Sequence, residues 1–212
     1  MTERDSLWRI AASLCRQLKA VNQRIAEALT LRSEPLDPVS VRESRMMTAI
    51  AESESAADIA PELLTAFPAF RDFTPEEMTA LLAVMRRWRL RKGTLLFAEG
   101  SPGGSCFVVV SGVVEVSIAV NGKHQLLARL HPGSVFGQVS LIDGEPRSAS
   151  CTIGRDAVLV ELEAAECERF LERRSPLALK LLALLNDGII SALRGADRRL
   201  MRLEEEESAA QA

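Results

Sequence analysis

The sequence predicts an α+β fold: an antiparallel β-roll of jelly-roll type flanked by N-terminal and C-terminal helices. Three observations carry that expectation. Apolar residues recur at helical spacing near both ends of the chain, and between them the period drops to two. Within that middle stretch Gly93, Gly100, Gly103, Gly104, Gly112, Gly133, Gly137 and Gly144 cut the chain into short segments, the punctuation of many strands joined by turns. A chain of 212 residues that is 47% hydrophobic is also long enough to bury a core of its own.

The texture divides the chain into an N-terminal helical region (1–60), a main domain with its C-terminal helix (61–203) and an acidic tail (204–212). In the first region Leu7, Ala11, Leu14, Leu18, Val21, Ile25 and Ala28 form one stripe along a helix running from about Ser6 to Leu31. That stripe has to bury itself against the roll, a second copy or another protein. Pro35 and Pro38 then break the helix, and a weaker one is predicted through RESRMMTAIAESESA before Pro61.

The main domain opens on sharper signals. Thr74 offers a capping hydroxyl, Pro75 suits the first helical position and Glu77 stands at the third, so a helix is predicted from Pro75 to about Arg86. In RRWRLRK, Trp88 and Leu90 alternate with Arg87, Arg89 and Arg91, the pattern of a strand with one wet face. Val114, Val116, Ile118 and Val120 likewise share one face, with Glu115 and Ser117 opposite. Asn121-Gly122 supplies a two-residue hairpin turn, and HQLLARL resumes as the partner strand. A helix is predicted from about Ala164 to Arg174, and Ser175-Pro176 opens a last one to about Leu203. Its stripe of Leu182, Leu185, Ile189, Leu193, Ala196, Leu200 and Leu203 is close to heptad spacing, with Gly188 and Gly195 allowing close approach, which predicts a homodimer through this helix. The terminal EEEESAAQA is expected to be solvated and frayed.

Composition narrows the function classes. The formal net charge is −3, and the first sixty residues hold eight basic and nine acidic side chains, so no nucleic-acid footprint is visible. Cys15, Cys106, Cys151 and Cys167 lack CxxC spacing and sit among apolar neighbours, as buried reduced thiols do. No charged start leads into an apolar core with a cleavage site, and the longest apolar run, Leu177 to Leu185, contains Lys180 and is too short to span a bilayer. A cytoplasmic protein without a membrane span is the expectation. There is no GxSxG, no HExxH and no paired-carboxylate motif, and His124 and His131 have no ligand-type neighbours at metal-binding spacing. Neither an enzyme nor a metalloprotein is predicted.

The informative stretch is PGSVFGQVSLIDGEPRSAS, Pro132 to Ser150. Gly137 lets backbone approach a ligand closely, residues 138–142 can form one short helix, and Arg147 returns after a tight turn with Ser148 beside it. Helix-end amides plus one guanidinium suit a singly charged phosphate diester. A triphosphate with magnesium asks for a lysine as well as carboxylates, and this stretch has no lysine.

At these residues the chain resembles the phosphate-binding cassette of the cyclic-nucleotide-binding domain family, which includes the catabolite activator protein and the regulatory subunits of protein kinase A. The family's FGE, short apolar helix and PRxA or RSA correspond here to FGQ, VSLI and DGEPRSA. The resemblance runs in order from about Leu63 to Arg202, through FPAFRDFTPEEMTALL, GTLLFAEGSPGGSCFVVVSGVVEV and LHPGSVFG. It implies a ligand, cAMP or cGMP, and no cofactor. The implied ligand-binding residues are Phe136, Gly137, Gln138, Val139, Ser140, Arg147, Ser148 and Ala149. Of these, Arg147 and Ser148 would hold the cyclic phosphate, amides of the Gly137 to Val139 segment would assist, and residue 138 would hold the ribose 2′-hydroxyl. Asp187, Ser191 and Asn186 on the last helix are candidates to meet the base.

The chain departs from the family at residue 138, where Gln138 replaces a glutamate. A charge-assisted hydrogen bond is worth roughly 1.5–3 kcal/mol against about 0.5–1.5 for a neutral one, so the loss expected is about tenfold in affinity. Ser148 suits either base. Family regulators place a helix-turn-helix after the long last helix, whereas only the acidic tail follows Leu203 here. The expectation is a sensor that signals to an unidentified protein partner, with no nucleic acid as partner. The other reading is a degenerate cassette serving as a ligand-independent interaction module.

Overall fold

The computed structural model describes residues 3–30, 53–173 and 175–210. In chain order the elements are α1 (Glu3–Thr30), β1 (Ser53–Ser55), α2 (Pro61–Thr65), a 3-10 turn (Pro68–Phe70), α3 (Pro75–Leu82), β2 (Arg86–Leu90), β3 (Leu95–Phe97) and β4 (Ser105–Val120), followed by β5 (Lys123–Leu130), β6 (Val135–Phe136), α4 (Gln138–Asp143), β7 (Ser150–Glu163), α5 (Ala164–Glu172) and α6 (Pro176–Ala210). All strand pairings are antiparallel. The sheet order is β1-β2-β7-β4-β5, with β3 also on β7 and β6 also on β4.

The two longest strands make the roll. β4, of 16 residues, runs against β7, of 14, through three register shifts between Val109 and Val114. Each shift bends and twists the pair, so the strands wrap round an interior instead of staying flat. Phe107, Val109, Val114, Phe136, Ile153 and Leu159 fill that interior. The opposite face of the same strands, with Cys106, Val108, Val160 and Leu162, packs under Met78, Leu82, Phe170 and Leu185 from the helices. Both faces being covered, Ser105 to Val110 are all buried, and the segment reads as a continuous apolar run.

Local signals held where the chemistry is local. Thr74 and Glu77 form a reciprocal capping box at the start of α3. Asn121 and Gly122 both take positive φ, 51° and 73°, the turn that joins Val120 to Lys123. Ser175 Oγ accepts from the amide of Ala178 at the start of α6. All four cysteines are buried and free, and burial pushes the thiols up, to about 11 for Cys15 and about 12 for Cys151 and Cys167.

Several expectations are corrected. α3 ends at Leu82, not near Arg86, because Val84 and Met85 turn back onto Leu81 and Leu82 and Arg86 already pairs with Glu161 in β2. The weaker helix expected up to residue 56 falls mostly outside the described residues, but its end is a strand: Ser53–Ser55 pairs with β2. Arg87 is not on a wet face, since Glu54 and Asp58 close over it. Ser117, placed opposite the apolar side, is 1% exposed, on a strand paired with β5 on one side and β7 on the other.

The helices bring the largest correction. Ala11, Cys15, Leu18, Ile25 and Leu29 form the buried centre of α1, one position off the expected stripe for part of its length, as a straight helix drifts from a seven-residue repeat. α1 lies parallel along α6, with Arg24 paired to Glu204 at 2.8 Å and Asn186 donating to the carbonyl of Leu7. The α6 stripe meets α1 and the roll within one chain, with Leu182, Leu185 and Ile189 at 0% exposure and Leu193 and Ala196 half-buried. α6 also continues through the glutamates to Ala210, since glutamate is a good helix former and Arg24 holds Glu204. As a whole α6 is, among the described residues, the one helix long and apolar enough to cross a bilayer. Leu181, Leu182, Leu184, Leu185 and Ile189 of that helix are buried inside the chain.

Candidate ligand-binding site

The phosphate-cassette segment is folded around one arginine. Gly137 takes φ 80° to turn β6 into α4, and a Cβ there would lie 2.9 Å from Arg147 Nη1 and 3.1 Å from the Ser105 carbonyl oxygen. Gly144, at φ 70°, closes α4 by donating to the Ser140 carbonyl. The glycine-rich turn before β4 then grips the arginine's backbone: Gly100 donates to the Arg147 carbonyl at 2.8 Å, and Arg147 donates to that of Ser101 at 2.9 Å.

Arg147 is 7% exposed. Nη1 donates to the carbonyls of Ser105 (2.8 Å) and Gly137 (2.9 Å) and to Ser140 Oγ (3.0 Å), while Nη2 donates to Ser105 Oγ (3.0 Å). The guanidinium carbon lies 4.1 Å from the centre of the Phe97 ring, one of three packed aromatics with Phe107 and Phe136. Desolvation by burial drags its pKa below the usual arginine range. Its four hydrogen bonds all go to neutral acceptors, and Nε is buried with no partner among the described residues. An anion arriving here meets a charge that no carboxylate in this shell has neutralised.

Gln138 begins α4 and is 2% exposed, yet its Oε1 has no hydrogen-bond partner among the described residues. A buried unpaired acceptor costs about 1–3 kcal/mol, which a ligand hydroxyl would relieve. The helix above makes room for it. A Cβ at Gly188 of α6 would fall 2.7 Å from Gln138 Nε2, so only glycine lets α6 pass this close.

Arg147 and Gln138 share a cavity of about 560 Å3 between the roll and the helices, within the usual size range of small-molecule sites. All eight residues expected from the sequence line it: Phe136, Gly137, Gln138, Val139, Ser140, Arg147, Ser148 and Ala149. Asp187 and Ser191 line it from α6. Asn186 does not, being turned toward α1 through its bond to the Leu7 carbonyl. Other lining residues gave no signal in the segment that identified the cassette: Phe97 beneath Arg147, Gly188, Gly195 and Arg199 on α6, and Leu18 and Asn22 on α1. The two mid-helix glycines were visible as an anomaly, but their spacing was read as a helix seam. α1 is tied to the cassette itself by Lys19 and Asp143, 2.6 Å apart.

Residues 87–174 match the family model described as cyclic nucleotide-binding domain. The chain is 35% identical over 142 residues to a cyclic AMP receptor protein of Thermus thermophilus, a match covering 66% of this chain and 64% of that protein. It is 27% identical to a CRP-like cAMP-activated global transcriptional regulator of Mycobacterium tuberculosis, over 58% of this chain and 56% of the regulator. These matches span about three fifths of the relatives' length. Among solved structures, a cyclic nucleotide-binding domain from Methylobacillus flagellatus superposes with a TM-score of 0.66 at 26% identity, covering 74% of this chain and 90% of that one. Antiparallel roll, cassette geometry and these matches agree in pointing to a cyclic nucleotide-binding domain over residues 87–174.

Proposed function

We propose that the cavity binds a cyclic nucleotide, cAMP or cGMP, and that the chain is a sensor and not an enzyme. One observation carries this reading: among the described residues, a buried guanidinium bonded only to neutral groups and a buried amide oxygen without a partner line one cavity. A cyclic phosphate is singly charged and rigid. Arg147 would carry its charge, with Ser148 and the amides from Gly137 to Val139 beside it. Gln138 Oε1 would accept the ribose 2′-hydroxyl, the aromatic cluster would exclude water, and α6 would cover the base.

Response requires two arrangements of the chain with different affinity for the nucleotide. The elements placed to differ are α6, which roofs the cavity, and α1, joined to the cassette by Lys19 and to α6 by Arg24. The output is read as contact with a protein partner in the cytoplasm, in line with the absence of a basic surface signature in the sequence. A second reading, a ligand-independent scaffold, is favoured by the complete set of internal bonds on the Arg147 Nη atoms, which gives that side chain a structural task in the free protein.

Calorimetric titration with cAMP and cGMP separates the two. Binding by the parent, weakened about 10- to 150-fold in Arg147→Ala, supports the sensor. No heat with either nucleotide supports the scaffold, and nucleotide hydrolysis by the purified chain would overturn the assignment as a non-enzyme.

A further inference from the structure

The cavity's helical wall has a second feature that the cassette does not account for. Gly188, Ser191, Ala192, Gly195 and Arg199 recur at three- and four-residue spacing, so they lie on one face of α6, and all line the cavity. Gly188 is explained by Gln138. Gly195 is not explained by packing, because a Cβ there meets nothing within 4 Å. A glycine inside a helix costs about 1 kcal/mol relative to alanine, and here it leaves open space over the roll. The track ends at Arg199, eleven residues and about 16 Å along the axis from Gly188. An arginine in a helix leans back toward the N-terminus, and Arg199 lines the same cavity as Gly195. Arg199 is partly buried, and its Nε is buried with no hydrogen-bond partner among the described residues. Of the other cations lining the cavity, Arg147 is seated in the cassette, Arg129 is paired with Glu115 at 2.9 Å, and Arg198 is exposed. At the far end of the same cavity stands Gln138, 2% exposed, its acceptor without a partner among the described residues.

We propose that Arg199 reads the base of the nucleotide and selects a purine with an O6 carbonyl, guanine over adenine, for the site assigned above. The inference rests on that assignment. Donors and acceptors decide the choice of base. Guanidinium can only donate, and guanine offers two acceptors, O6 and N7, on the edge that arginine pairs with in a bidentate manner; adenine replaces O6 with an amino group, a donor facing a donor. Asn22, which reaches the cavity from α1, carries both a donor and an acceptor and serves either base. Asp187 adds an acceptor for guanine's amino or ring N–H. The small residues between Gly188 and Arg199 give the ring a flat, uncrowded face.

The test is titration of the full chain with cGMP, cAMP and cyclic IMP, which keeps O6 but lacks guanine's amino group. The parent should bind cGMP and cyclic IMP about 5- to 150-fold more tightly than cAMP. Arg199→Ala should bring both down to the affinity of cAMP, and Arg199→Lys, which keeps the charge but loses the fork, should lose most of the preference. Gly195→Leu should weaken all three nucleotides with no fall in melting temperature, because its side chain enters open space. Equal or stronger binding of cAMP by the parent, or a guanine preference that survives Arg199→Ala, overturns the role of Arg199 while leaving the cyclic-nucleotide site intact. No binding of any of the three overturns the site and this inference together.

Discussion

The two walls of the cavity are built to opposite standards. On the roll side Arg147 is held by four side-chain hydrogen bonds, two backbone bonds to the Gly100-Ser101 turn and an aromatic ring at 4.1 Å. On the helix side, among the described residues, Arg199 Nε has no partner and a Cβ at Gly195 would meet nothing within 4 Å, while α1 is fastened by ion pairs at Lys19 and Arg24. The difference teaches where rigidity and response belong. A preformed anion seat avoids ordering cost on binding, whereas a roof with few polar constraints can take two positions at small energetic difference.

Substitution on the rigid wall should have the largest effect. Arg147→Ala leaves the Ser105 and Gly137 carbonyls without their buried donor, and denaturant unfolding of the free protein should show a loss of about 2–4 kcal/mol. Ser191→Ala on the helix wall should stay within about 0.5 kcal/mol in the same measurement. Comparable losses at both positions would erase the contrast between the walls.

Where the walls touch, Gly188→Val forces a side chain into Gln138 Nε2 and Val135, and overpacking of this kind costs about 1–3 kcal/mol. Gly195→Ala, one heptad on, should instead gain up to about 1 kcal/mol from helix propensity. Thermal melts of the pair read the sign directly, and a destabilised Gly195→Ala would mean that the track is packed after all.

Gln138→Glu separates binding from folding. The carboxyl is buried beside α6, so burial raises its folded pKa above the unfolded value. Stability relative to the parent should then be greatest at low pH and fall as pH rises through the folded pKa. Cyclic-nucleotide affinity near neutrality should rise by up to about tenfold, through the stronger acceptor for the ribose hydroxyl. Weaker binding would mean that the seat is shaped for another ligand.

How much of this was readable in advance follows the range of the interactions. The capping box at Thr74, the hairpin at Asn121-Gly122 and the glycines bounding α4 depend on a few adjacent residues, and each was legible. The eight cassette residues were legible because one continuous segment carries them, and all eight line the cavity. The partner of an apolar stripe is a different matter. A heptad pattern states that a helix buries one face and is silent on what covers it, so the share of the α6 stripe that α1 covers could not be read from the spacing. Asn186 was misplaced for the same reason: one position beside Asp187 turns a side chain about 100° round the helix, from cavity to α1. Phe97 and Asn22 come from elements distant in sequence and could be found only once the roll had closed.

The smallest expected effect is at the tether between the walls. Lys19 and Asp143 are 33% and 17% exposed, and Lys19→Ala should cost only about 0.2–1 kcal/mol, less at high salt. The contrast between a fixed seat and a responsive roof is tested most directly by hydrogen exchange of the parent with and without saturating cyclic nucleotide. Protection should increase across α6 from Gly188 to Leu203 and across α1 from Leu7 to Leu29, while the interior strands β4 and β7 change little. Unchanged exchange in both helices, with nucleotide shown to be bound, would contradict a roof that responds to what the seat holds.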